Sequence, residues 1–165
     1  MKFKDYPYKR PNLEEVKQAY EQALKALTSA SVLHEVVAAI DSINKVRNTL
    51  QTMQALVGAR NAIDTTDKFY EDEQNFFDEN SPFIAGFEHQ LALALHTSPF
   101  KQELIKKYGK QLFALIETNL KTFKPEIIED LQEENKLVTE YTKLTASAKI
   151  EFDGKINNLS QMAQY

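Results

Sequence analysis

Behind Asn12, the apolar residues Leu13, Val16, Tyr20, Ala23, Leu24 and Leu27 recur at intervals of three and four, the spacing that lines one face of a helix. Asn12 offers an N-cap oxygen, and Glu15 is placed to complete a capping box. Ser29, Ala30 and Ser31 break the pattern, and Ser31 is set to cap the next element. There Leu33, Val36, Val37, Ile40, Ile43, Val46, Leu50, Met53 and Val57 hold the period for about seven turns, a helix roughly 40 Å long. Gly58 either ends this helix or is passed through at a cost of about 1 kcal/mol.

Thr65-Thr66-Asp67 is the next start signal, carrying Phe69, Tyr70, Phe76 and Phe77 amid acids. Asn80-Ser81-Pro82 reads as a restart, with Ser81 as cap and Pro82 at the first helical position, where its missing N–H costs nothing. Phe83, Phe87, Leu91 and Leu95 carry that helix to His96, and Ser98-Pro99 repeats the device. Gly109 follows Lys106-Lys107-Tyr108 as a helix terminator, and Leu112 to Leu120 is helical again. Lys124-Pro125-Glu126 opens a last long helix with Ile128, Leu131, Leu137, Val138, Tyr141 and Leu144 on its inner side. The stretch from Ile150 to Ile156 then holds Asp153-Gly154, a hairpin signal. A two-residue loop puts Phe152 and Ile156 on opposite faces. A three-residue loop pairs Ile150 with Ile156 and Glu151 with Lys155, and is the preferred register.

The expected fold class is therefore all-α, an antiparallel multi-helix domain with one C-terminal β-hairpin. Residues 1–165 form a single helical lobe: an extended arm over 1–11, helices over 12–148, a hairpin over 149–158, and the start of a truncated element over 159–165, with Ser160 as its cap. The chain's end at Gln164-Tyr165, with no terminating signal, reads as a truncation. The expected core is Val16, Tyr20, Leu24, Val37, Ile40, Ile43, Leu50, Phe69, Phe87, Leu91, Leu95, Leu112, Phe113, Ile116, Leu131, Val138 and Tyr141.

Composition narrows the chemistry. A net charge of −4 is too balanced for a nucleic-acid or membrane-surface partner. The absence of Cys removes disulfides, thiolate zinc sites, iron–sulfur clusters and cysteine nucleophiles, and fits a reducing compartment. The longest apolar runs, Val36 to Ile40 and Leu91 to Leu95, fall far short of the ~20 residues that span a bilayer, and the basic start has no apolar stretch of a signal peptide behind it.

Each candidate site weakens on inspection. His34-Glu35-Val36-Val37-Ala38 begins like the zinc-binding His-Glu-x-x-His helix, but Ala38 stands where the second imidazole is needed. His89 and His96, seven apart, can share a helix face but have no Glu-x-x-His partner, and they read as ordinary surface or boundary histidines. The acids from Asp64 to Glu79 lack a calcium loop and read as a solvated face opposite an aromatic one. The sharper alternative has Asp64, Asp67 and Glu71 bridging to a base such as Arg60 or a residue outside the chain. No serine stands in a Gly-x-Ser-x-Gly elbow, and no glycine cluster forms a phosphate loop. Lys2, Lys4, Lys9 and Arg10 interleave with Phe3, Tyr6 and Tyr8 as a weak single-strand-binding pattern, but the acidic net charge favours an arm tethered across the domain. No residue is assigned a catalytic, cofactor-binding or metal role.

Five segments, in order, resemble the amino-terminal region of bacterial oligoendopeptidase F: Asp5-Tyr6-Pro7-Tyr8-Lys9-Arg10-Pro11, Asp64 to Glu73, Ser98-Pro99-Phe100, Tyr108-Gly109-Lys110-Gln111-Leu112-Phe113, and Glu134 to Tyr141. Ala146 to Gly154 and Asn158-Leu159-Ser160-Gln161 fit the same region. The resemblance implies a family of cytosolic zinc metallopeptidases related to thimet oligopeptidase, which cleave short peptides in a channel between helical lobes. It places the zinc-holding His-Glu-x-x-His helix and later Glu in a carboxyl-terminal part that this chain lacks. What it implies here is a cytoplasmic, non-catalytic lobe that walls the channel and limits entry to oligopeptides. Its partners would be the catalytic part of the parent chain and, within the parent, an oligopeptide. The competing reading is a stand-alone helical interaction module without enzymatic activity. A helical bundle with a small-molecule or metal site ranks last.

Overall fold

The structure, a computed structural model, describes residues 5–165. Six helices follow in order: α1 (Leu13–Ser29), α2 (Leu33–Ile63), α3 (Lys68–Thr97), α4 (Lys101–Tyr108), α5 (Lys110–Thr122) and α6 (Ile128–Ala146). After them come a hairpin of β1 (Ile150–Phe152) and β2 (Lys155–Asn157), and a single turn, α7 (Leu159–Met162). The fold is all-α with one antiparallel hairpin at its C-terminal end. Short connections fold α1, α2 and α3 back on one another, and α3 also meets α5 and α6. The core lies among α1 to α5, with Tyr20, Val36, Val57, Phe77, Leu91 and Leu104 the most enclosed side chains.

Asn12 caps α1 as expected, accepting from the backbone N–H groups of Glu14 and Glu15, while Glu15 accepts from the Asn12 side-chain amide. The second cap differs from expectation. Val32 occupies the N-cap of α2, and Ser31 instead donates its backbone N–H to Glu35 Oε2 at 2.8 Å. Gly58 does not interrupt α2, which runs 31 residues. Gly109 ends α4 with φ at +92°, a backbone state that an L side chain resists. Ser98 accepts the Phe100 N–H through its hydroxyl and shapes the turn before α4, so the helix starts two residues later than its Ser-Pro signal suggests.

The largest correction concerns Pro82. There is no restart at Ser81; α3 is one 30-residue helix with Pro82 buried inside it. A proline there frees the carbonyl four residues back, which ordinarily ends or kinks a helix. In this molecule the freed Asp78 carbonyl accepts from Asn135 Nδ2 at 3.1 Å, and the neighbouring Glu79 carbonyl accepts from Gln132 Nε2 at 2.6 Å. Both donors come from α6, 50 and more residues away, beyond the reach of a local sequence reading.

The hairpin takes the two-residue loop rather than the three-residue one. Ile150 faces Asn157, Glu151 faces Ile156 and Phe152 faces Lys155. Asp153 (φ +50°) and Gly154 (φ +70°) both lie in the left-handed region, matching the strand twist as a primed turn does. Apolar cross-strand pairing does not decide the register, since Phe152 and Ile156 are both exposed; Asn157 is buried and its side-chain amide donates to the Phe152 and Lys155 carbonyls. α7 is capped by Asn158 in a capping box with Gln161, and Ser160 lies inside the turn.

Of the expected core, Val16, Tyr20, Ile40, Ile43, Leu50, Leu91, Leu95, Phe113 and Ile116 are buried, and Leu24, Val37, Phe87, Leu112 and Leu131 are partly so. Phe69, Val138 and Tyr141 are exposed. The last two belong to α6, whose apolar side faces outward instead of inward. Leu137 and Leu144 on that side are exposed as well.

Candidate functional site

Two charged ties cross the bundle, each built from a tyrosine, a glutamate of α3 and an arginine. Glu73 is buried although it is a carboxylate. Arg10 grips it with two parallel bonds, Nη2 to Oε1 at 2.6 Å and Nε to Oε2 at 2.9 Å, and the Tyr8 hydroxyl donates to Oε2. The Arg10 guanidinium also lies 4.8 Å from the Phe76 ring centre. Bidentate geometry and the paired cation make the buried carboxylate tolerable. Arg10 holds the Glu73 carboxyl below its ordinary range, while burial and the bond to Glu73 push the Tyr8 hydroxyl upward.

Fifteen residues along α3, about 22 Å by helical rise, Glu88 repeats the arrangement. Arg47 of α2 donates Nε to Glu88 Oε1 at 2.6 Å and Nη2 to Oε2, and the Tyr20 hydroxyl donates to Oε1. Tyr20 is 2% exposed and stacks on Phe87, and its burial raises the hydroxyl's pKa. In both ties each carboxylate oxygen accepts from an arginine or a tyrosine.

The first tie is the outcome expected of the arm. Tyr8 packs edge-on to Phe69 and Tyr70, and the Tyr6 carbonyl accepts from Arg60 Nη2 at 2.6 Å. The arm is therefore strapped to α2 and α3. Lys2, Phe3 and Lys4 lie outside the described residues.

The acidic stretch divides into separate duties. Asp64 accepts from the Thr66 N–H and hydroxyl, and Asp67 caps α3 through the Phe69 and Tyr70 N–H groups. Glu71 bridges Lys143 of α6 at 2.7 Å and Lys68 at 2.6 Å, and these cations bring its carboxyl down to about 2. Asp78 is buried, accepting from Gln74 Nε2 at 2.8 Å and the Thr139 hydroxyl at 2.6 Å. Asp64, Asp67 and Glu71 thus do not act as one face. Among the described residues, Glu71 is the one of the three that bridges to a base, namely Lys143 and Lys68; Arg60 donates to the Tyr70 hydroxyl. Sequence reading missed Glu73 and Asp78 because the donors Tyr8, Arg10 and Thr139 lie more than 60 residues away from them.

The histidines are dispersed. His34 is exposed at the start of α2, His89 tilts against Phe123, and His96 sits beside Lys101 and Glu117. Among the described residues no group of three or more His, Asp or Glu side chains is arranged to hold a metal ion. The described residues do not fit a zinc site. Nor is any described helix long and apolar enough to cross a membrane.

α6 is attached by its polar side. Gln132, Asn135, Thr139 and Lys143 point to α3, and Leu137, Val138, Tyr141 and Leu144 are left in solvent. This apolar stripe, and not a cavity, is the feature of the molecule that calls for a partner.

Residues 3–123 match the family model described as the peptidase M3 N-terminal domain. Three solved structures superpose closely over 99% of the chain. PZ peptidase A with an inhibitor is 48% identical with a TM-score of 0.95; a protein assigned as oligoendopeptidase F from Bacillus anthracis str. Ames is 50% identical at 0.94; another assigned as oligoendopeptidase F is 45% identical at 0.95. The chain spans only 29% to 30% of the length of these relatives. A comparison with curated proteins found no significant match. A match over most of the chain, together with a shared fold at nearly half identity, means that this chain belongs to the M3 peptidase family, as the N-terminal domain of an oligoendopeptidase F-like member.

Proposed function

We propose that this chain is the non-catalytic helical lobe of a cytoplasmic zinc metalloendopeptidase, in which it forms part of the wall of the substrate channel and restricts entry to short peptides. The observation that carries this reading is that the chain spans under a third of each solved relative while matching it at a TM-score of at least 0.94. The zinc and the groups that act on it belong, in this reading, to the remainder of the parent chain.

The lobe contributes rigidity and exclusion. A wall that holds an extended peptide must not drift, because a misplacement of about 1 Å at the reacting bond costs on the order of a hundredfold in rate. The two Tyr–Glu–Arg ties serve that purpose by fastening α3 to the arm and to α2 at points about 22 Å apart.

The test compares the 165-residue chain with the full-length parent on a fluorogenic short peptide and on a folded protein containing the same sequence. The parent is expected to cleave the peptide, spare the folded protein and lose activity to a zinc chelator. The 165-residue chain is expected to cleave neither. Peptide cleavage by the 165-residue chain alone, or none by the parent, overturns the proposal.

A further inference from the structure

α6 is built the wrong way round for a helix that belongs to this core. Helical positions advance by about 100° per residue, so Gln132, Asn135, Thr139 and Lys143 cluster on one side and the stripe Leu137, Val138, Tyr141, Leu144 centres on the opposite one. The polar set meets α3, while the stripe is 55% to 69% exposed and α6 has no buried residue. A surface helix ordinarily does the reverse.

Three observations say what covers the stripe. The core cluster draws no member from α6, so the stripe has no counterpart in this bundle. The N-terminal domain match stops at residue 123, ahead of α6, whereas the solved relatives share the whole chain and extend to more than three times its length. Finally, Asp130, Glu133 and Glu134 border the stripe at its N-terminal end. A second copy of the chain stacked in parallel sets these acids against themselves, and one stacked antiparallel sets them against Leu144. In neither does the stripe itself present a cation to them.

We infer that the outer stripe of α6 is the seam on which the portion of the parent chain following Tyr165 packs, through an apolar segment bearing Lys or Arg opposite Asp130, Glu133 and Glu134. α6 would then be a strut between two cores, pinned to one by polar bonds and immersed in the other. This rests on the lobe reading above.

The test is cysteine labelling. The chain has no cysteine, so Tyr141→Cys and Leu144→Cys report on the stripe and Lys17→Cys, exposed on α1, serves as control. In the 165-residue chain all three should react with a maleimide at similar rates. In the full-length parent, freed of other cysteines, the two stripe positions should react at least tenfold more slowly and the control unchanged. Hydrogen exchange of the unsubstituted α6 amides, slower in the parent, gives the same answer without mutation. Equal labelling in both chains overturns the proposal. So does protection already present in the 165-residue chain that grows with its concentration, which makes a second copy the occupant. Failure of the parent to cleave any short peptide overturns the lobe reading instead, whatever the labelling shows.

Discussion

Glu73 is where a single residue carries the most consequence. Its side chain is 6% exposed and its partner Arg10 is 49% exposed, so the pair is half screened by solvent. Glu73→Gln keeps the shape but loses the charge that both Arg10 and Tyr8 address. The expected cost is about 2 kcal/mol, read as a drop of roughly 5 °C in the melting temperature. Acid should act on the same groups. Arg10 holds the Glu73 carboxyl below its ordinary value, and Lys143 and Lys68 hold that of Glu71 near about 2. The unfolded chain therefore takes up protons that the folded one refuses. Stability is present above the ordinary glutamate range and falls as the pH is lowered from about 4.5 toward about 2. Melting temperatures between pH 6 and pH 2.5 (roughly the window set by these groups) should show that fall, and Glu71→Gln should flatten it. The tyrosines act at the other end. Burial raises Tyr8 and Tyr20, so stability should decline as the pH climbs beyond about 10, less steeply in Tyr20→Phe.

At the scale of an element, α3 shows how a helix survives an internal proline. The cost of Pro82 is the orphaned Asp78 carbonyl, and Asn135 takes it. Asn135→Ala should cost about 1 kcal/mol in the natural chain. With Pro82→Ala in place, position 82 regains an N–H, the carbonyl rejoins the helix, and Asn135→Ala should cost nearly nothing. A coupling of at least about 0.5 kcal/mol in denaturant-melt double-mutant cycles is the expected result, and additivity would refute it. The hairpin makes a related point. Its register follows from backbone dihedrals at Asp153 and Gly154 and from the Asn157 side chain, not from matching apolar residues across strands.

For the whole molecule, α1 to α5 share one core and α6 with the hairpin stands outside it. Deleting residues 124–165 removes polar pins at Glu71, Asp78 and Glu79 but no member of the core. The shortened chain is expected to stay helical and melt in one transition. Its melting temperature should be lower by roughly 10 °C, from about 3–4 kcal/mol of lost hydrogen bonds. A molten, non-cooperative profile in circular dichroism would show that α6 belongs to the core after all.

The apolar period along the chain was sufficient to locate α1, α2, α5 and α6, and Asn12, Asp67, Gly109 and Pro125 placed ends of α1, α3, α4 and the turn leading into α6, because periodicity and capping are set by residues within one or two turns of each other. The same local wording carried the likeness to oligoendopeptidase F. What it could not settle were the outcomes that depend on distant partners: Pro82 held inside α3 by Asn135, Glu73 buried against Arg10, and Glu71 bridged by Lys143. The orientation of α6 belongs with them. A helix with one apolar and one hydrogen-bonding side satisfies local rules whichever way it turns, and here the Asp78 carbonyl freed by Pro82, the neighbouring Glu79 carbonyl and the buried Asp78 side chain drew its polar side to α3. Leaving those groups unpaired in the interior costs more than leaving Leu137, Val138, Tyr141 and Leu144 in water.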